Sequence, residues 1–125
     1  MKLSNKEKTR LKNQYGEWAM VTGASSGIGL ELVTQLADAG FNLIINARNE
    51  QRLKNVETQL QEKGIHVKAI VADVSDADGV AKMIQAAEGL NIGLLVNNAG
   101  YGTSGLFVEG SLQEEINMLR VNCEA

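Results

Sequence analysis

The residues best suited to do chemistry are the glycines of Thr22-Gly23-Ala24-Ser25-Ser26-Gly27-Ile28-Gly29. Glycine permits positive φ in a tight turn and lets the backbone come close to a bound group. A helix that starts on such a turn offers free N–H groups and a partial positive charge. A pyrophosphate matches that combination, and Ser25 and Ser26 add hydroxyl donors. A glycine-rich loop that only reverses the chain would need neither the strand before it nor the helix after it. The spacing is G-x-x-x-G-x-G, not the G-x-G-x-x-G of the commoner dinucleotide fingerprint. A methyltransferase of similar fold suits the turn less well, because S-adenosylmethionine has no pyrophosphate for the helix start to hold.

A second constellation follows at Asn46-Ala47-Arg48-Asn49. In dinucleotide folds, an acidic residue about 20 positions past the turn hydrogen-bonds the ribose 2′-hydroxyl and selects NAD. Ala47 stands where that acid would be, and Arg48 follows it. A guanidinium can pair bidentately with a 2′-phosphate, and no nearby acid in this stretch repels one. The combination favours NADP(H), although Arg48 also reads as a solvated cation at a strand end. Asp73-Val74 closes the third apolar run, where Asp73 is either a ligand or a helix-capping acid. His66 stands alone, and Cys123 has no partner for a catalytic triad or a metal site, so no metal is expected.

These residues need elements to position them. Trp18 to Thr22, Asn42 to Asn46, Val67 to Val71 and Ile92 to Val96 read as short buried strands. Between them lie helix patterns. The first starts at Gly27 with Ile28, Leu32, Val33 and Leu36 on one face and stops at Gly40. Leu53, Val56 and Leu60 mark the second. Val80, Met83, Ile84 and Ala87 mark the third, with Ser75 as its cap. Ser111 caps a last helix that carries Leu112, Ile116 and Leu119. Near-continuous apolar strands alternating with helices predict an α/β fold, a doubly wound parallel sheet of the Rossmann type. Residues 15–125 then form one dinucleotide-binding domain.

With its leading threonine, the glycine turn resembles the Thr-Gly-x-x-x-Gly-x-Gly motif of the short-chain dehydrogenase/reductase family. Asn97-Asn98-Ala99-Gly100 resembles that family's Asn-Asn-Ala-Gly block after the fourth strand. The resemblance covers residues 15 to 125. It implies an oxidoreductase that moves hydride between NADP(H) and a small carbonyl or alcohol substrate. It implies that Thr22, Gly23, Ser25, Ser26, Gly27, Ile28 and Gly29 hold the cofactor's phosphates and Arg48 its ribose end. Asp73 and Val74 would meet the adenine. Asn98 and Ala99 would have a mixed structural and binding role, and Gly100 would let the backbone pass close to the ribose. Many NADP-type members of the family also place a basic residue inside the turn, where this chain has Ser26.

The family's proton donor is a tyrosine with a lysine four residues on, helped by a serine and by an asparagine in the preceding helix. Tyr15 is followed by Ala19 and Tyr101 by Gly105, so neither matches. Asn122, in Arg120-Val121-Asn122, resembles the helix asparagine and is the one catalytic candidate. The expectation is that the sequence stops inside a helix, ahead of the remaining catalytic groups, and by itself supplies the cofactor-binding half. Tyr15-Gly16-Glu17-Trp18 resembles the lead-in of the ketoacyl-CoA and hydroxysteroid reductase branch. The competing reading is a non-catalytic dinucleotide-binding module.

Composition bounds the partners. A net charge of −3 argues against nucleic acid. No apolar run approaches the roughly 20 residues that span a bilayer. One cysteine excludes an internal disulfide and fits a reducing, cytoplasmic setting. The resemblance implies a homo-oligomer at full length. Residues 1–14 carry Lys2, Lys6, Lys8, Arg10 and Lys12 against Glu7. Because Leu3 and Leu11 form no stripe, this basic leader is expected to be solvated and frayed rather than a partner-binding arm.

Overall fold

A computed structural model of the chain describes residues 3–125. Each apolar run becomes a strand: β1 Trp18–Val21, β2 Asn42–Ala47, β3 Val67–Val71 and β4 Ile92–Val96. They form one sheet in the order β3-β2-β1-β4, with every pairing parallel. The chain moves outward from β1 through β2 to β3 and then returns to the other side of β1. The strand order therefore reverses at β1, which is where such sheets open a crevice beyond their carboxyl ends.

Helices cover both faces because the strands alternate. Ala19, Val21, Leu43 and Ile45 point into a core completed by Val33 from helix α2 (Gly27–Asp38) and Leu53, Val56 and Leu60 from α3 (Glu50–Gln61). Met20 and Ile44 point to the other face, against Met83 of α4 (Ala77–Ala87). A 3₁₀ turn at Phe107–Glu109 precedes α5 (Leu112–Leu119), which continues as a π-helical turn over Arg120–Glu124. Ser111 caps α5 by accepting from the Glu114 N–H. Among the described residues no helix is long and apolar enough to cross a membrane.

Sequence expectations are corrected at three helices. The leader is not frayed: Asn5–Tyr15 form helix α1, on which Ser4 and Glu7 build a complete capping box. Ser4-Asn5-Lys6-Glu7 has the Ser-x-x-Glu spacing such a box requires. Leu3 and Leu11 pack onto the first core, and α1 ends over β4, where a Cβ on Gly93 would collide with the Tyr15 carbonyl. Lys2, part of the expected basic arm, lies outside the described residues. In α2 the buried face is Gly29, Val33 and Ala37, whereas Ile28 is 75% exposed. In α4, Ile84 is also exposed, and the N-cap is Asp76 rather than Ser75.

Candidate cofactor site

The glycine turn joins β1 to α2, and its three glycines do different work. Gly23 has φ of +66°, and a Cβ there would lie 2.8 Å from the Ala99 Cα. Gly29 has ordinary dihedrals, but a Cβ on it would collide with the Gly23 carbonyl, so it sets how closely α2 folds back on the turn. Gly27 has φ of +54° and nothing within 4 Å of where its Cβ would be. The space over Gly27 is an open cradle at the start of a helix.

That helix start is also free to bind. Ser26 is the N-cap of α2, yet its side chain makes no capping hydrogen bond. In α1, α3 and α5 the equivalent Ser4, Asn49 and Ser111 each accept from the helix backbone. Asp76 of α4 does not cap either, but no open glycine precedes it. The first N–H groups of α2 thus lack the side-chain acceptor such groups ordinarily have. An anionic oxygen over Gly27 would satisfy them.

Thr22 does not face this cradle. Its Oγ1 accepts from the backbone N–H groups of Asn98 (3.1 Å) and Ala99 (3.0 Å). The Asn98 Nδ2 returns two hydrogen bonds, to the carbonyls of Thr22 (3.0 Å) and Gly23 (3.1 Å). Four residues of the two motifs are thereby latched together, and the glycine turn keeps its shape without a ligand. Such reciprocal pairing satisfies the N–H groups of Asn98 and Ala99 and the carbonyls of Thr22 and Gly23.

Sequence reasoning missed Asn46. It is 2% exposed, the one buried polar side chain among the described residues. Its Nδ2 donates to the carbonyls of Ile70 and Ala72, both at 3.0 Å, where the chain leaves β3. Its backbone carbonyl accepts from the Ala24 N–H at 2.8 Å. One residue thus ties the end of β2 both to the glycine turn and to the segment that carries Asp73. An amide directly after the apolar run Leu43-Ile44-Ile45 was the available signal, since a buried amide must have partners.

The register Ala47↔Val71 brings the exits of β2 and β3 side by side. Arg48 and Asp73 therefore meet: Nη1 lies 3.9 Å from Oδ2, with the arginine side chain 67% exposed. This corrects the expectation that no acid lies near Arg48. Asp73 does not cap α4; its Oδ1 accepts from the Ser75 N–H at 2.9 Å. Burial pushes the Asp73 carboxyl up, but hydrogen bonds from Ser75 and the charge of Arg48 outweigh it, and the group stays below its ordinary range.

These parts enclose a cleft of about 480 Å³. Gly23, Ser25, Ser26, Ile28 and Gly29 line one end, and Arg48, Asp73 and Val74 the other. Asn98, Ala99 and Gly100 line the cleft as well. Arg52, from the first turn of α3, also lines the cleft. Two candidates lie elsewhere. Thr22 is spent in the latch. The Asn122 side chain clasps the backbone of Tyr101, accepting from its N–H at 3.2 Å and donating to its carbonyl at 2.9 Å. Asn122 thus holds the segment that leaves Gly100, and its amide does not line the cleft. Among the described residues no group of three or more His, Cys, Asp and Glu could hold a metal.

The family model for short chain dehydrogenases matches residues 17–125. A very-long-chain 3-oxoacyl-CoA reductase-like protein of Arabidopsis thaliana is 40% identical over 120 residues, covering 93% of this chain and 38% of that protein. A short-chain dehydrogenase from Sphingobium yanoikuyae, solved in complex with NADPH, superposes with a TM-score of 0.80 at 34% identity. The match covers 86% of this chain and 43% of that one. The bulky-bulky ketone specific alcohol dehydrogenase from Comamonas testosteroni gives a TM-score of 0.81 at 34% identity, over 86% of this chain and 44% of that one. The chain thus spans little more than a third of the curated relative and under half of either solved structure.

Proposed function

The chain belongs to the short chain dehydrogenase family, and we propose that it forms the NADP(H)-binding part of an oxidoreductase acting on the carbonyl or alcohol carbon of a small molecule. The observation that carries this reading is the open space over Gly27 at a helix start whose N-cap serine is unused. A pyrophosphate fills that space and satisfies the free N–H groups. Asp73 and Val74 offer a carboxylate and an apolar wall to the adenine amino group and ring. With Ala47 in place of an acid, the ribose end repels no 2′-phosphate from that position, and Arg48 attracts one.

The nicotinamide, when bound, supplies the hydride. The residues of this chain bind and orient it. The latch of Thr22 and Asn98 keeps Gly100 and Tyr101 beside the turn, and Asn122 fixes Tyr101 from above. A 3-oxoacyl thioester is the first substrate to test, given the name of the Arabidopsis thaliana relative. A bulky ketone or hydroxysteroid is the second. No tyrosine of the chain has a lysine four residues on, so no residue here is assigned the proton.

Titration of the protein with NADPH and NADH, followed by nicotinamide fluorescence, tests the reading. NADPH should bind more tightly. Arg48→Asp should erase the difference, worth about 1.5–3 kcal/mol for a charge-assisted contact. Equal affinities in the unaltered protein would overturn the NADP(H) assignment.

A further inference from the structure

Arg48 is a compromised phosphate ligand. A 2′-phosphate brings roughly −1.5 to −2 charges near neutral pH. Arg48 already faces the Asp73 carboxylate at 3.9 Å, so the pair together presents no net charge. Asp73 cannot easily turn aside, because its other oxygen is held by the Ser75 N–H. The glycine turn supplies no compensation, since residues 23–29 contain neither lysine nor arginine. A second cation is needed at the adenosine end, and among the described residues lining the cleft only Arg52 remains.

We infer that Arg52 is a specificity-determining residue that pairs with the 2′-phosphate and, in this chain, takes the place of the basic residue missing from the glycine turn. The inference rests on the NADP(H) reading above. Arg52 stands in the first turn of α3, and its backbone N–H donates to the Asn49 side chain at 2.9 Å. That cap fixes where the turn begins and hence where the arginine leaves the helix. No carboxylate among the described residues forms an ion pair with Arg52. Glu50, the acid of the same turn, does not line the cleft. A guanidinium with no partner, at a helix N-terminus, and facing the same opening as Arg48, is placed to complete a two-pronged clamp. Charge balance then improves from a phosphate facing a neutral pair to a phosphate facing one net cation.

The test separates this inference from the reading beneath it. The 125-residue chain is titrated by calorimetry with 2′,5′-ADP and with 5′-AMP, two nucleotides that differ only in the 2′-phosphate. Arg52→Gln should weaken 2′,5′-ADP by about 10-fold or more, the size of a charged hydrogen bond. Its affinity for 5′-AMP should stay within about twofold. Arg52→Lys, which keeps the charge but loses the fork, should recover part of the loss. An equal loss for both nucleotides would overturn the inference, because Arg52 would then act on the adenine or on the fold. So would an unchanged ratio. If the unaltered chain fails to prefer 2′,5′-ADP over 5′-AMP, the NADP(H) reading itself falls and this inference with it.

Discussion

The two sides of β1 are built differently. On one side, β2 buries five of its six residues, Leu43 and Ile45 toward α2 and α3 and Ile44 toward α4, and the cleft opens at its end. On the other side, β4 buries none of its five residues, and α5 buries none of its eight. Phe107 and Val108 are 78% and 89% exposed, with Leu106, Leu112 and Leu119 exposed near them in sequence. Apolar surface of this kind is not stable against water when it can be covered. The contrast teaches that the β2 end of the cleft rests on a packed support, whereas the β4 side presents a face without a cover. Binding and association should therefore respond to different residues.

The largest effect should come from the cradle. Gly27→Val places a branched Cβ in the open space, at a φ that β-branched residues rarely adopt. Affinity for NADPH should fall by at least about 100-fold, as expected when a phosphate loses its helix start. Circular dichroism should still report the mixed helix and sheet spectrum. If binding survives in a folded variant, the cradle is not the phosphate site and the two-sided picture breaks.

A smaller effect should follow from Asn46→Leu, which tests whether the cleft is held by buried polar contacts. The carbonyls of Ile70 and Ala72 would lose their donor inside the protein, costing about 1–3 kcal/mol. The measurement is urea unfolding, read together with NADPH affinity. Both should fall, because the same amide holds the segment that ends in Asp73. Unchanged stability would mean that water replaces the amide and that Asn46 is no hub.

The two sides also differ in how much of them is written locally. The strands are legible because each is a compact apolar run, and the turn is legible because its glycines sit between a run and a helical period. Arg48 and Asp73 were legible singly but not as a pair, since only the parallel register of β2 and β3 makes them neighbours. Arg52 hid among the ordinary cations of a helix surface. The leader misled for a different reason. Leu3 and Leu11 stand eight residues apart with no apolar residue between them, so the sequence shows no stripe, and only the docked helix brings both to the core. Asn122 was legible as a residue, but its clasp on Tyr101 depends on a long loop returning.

The open side should govern association. β4 pairs only with β1, and Ile92-Gly93-Leu94-Leu95-Val96 contains no charge or proline. The other edge strand, β3, carries Lys68, the kind of charge that protects an edge. Sedimentation should show concentration-dependent self-association of the chain. Leu95→Lys should reduce it while leaving NADPH affinity within about twofold. A monodisperse monomer at all concentrations would remove the contrast from which this expectation comes.

The smallest effect sharpens the cleft side alone. Asp73 is held below its ordinary pKa by Ser75 and Arg48, acting against its partial burial. A carboxyl with a depressed folded value favours its charged form in the folded protein. Its contribution is therefore present above the unfolded value near 3.9 and is lost as pH falls through the lower folded value. The side chain is about a third exposed, so solvent screening keeps the contribution to a fraction of about 1 kcal/mol. Melting temperature should thus drop slightly more steeply below pH 4 in the unaltered chain than in Asp73→Asn. The same substitution removes a negative charge beside Arg48 while keeping an oxygen that can accept from an adenine amino group. It should therefore raise the preference for NADPH over NADH rather than lower it. A lowered preference would mean that Asp73 serves to orient Arg48 toward the phosphate and does not compete with it.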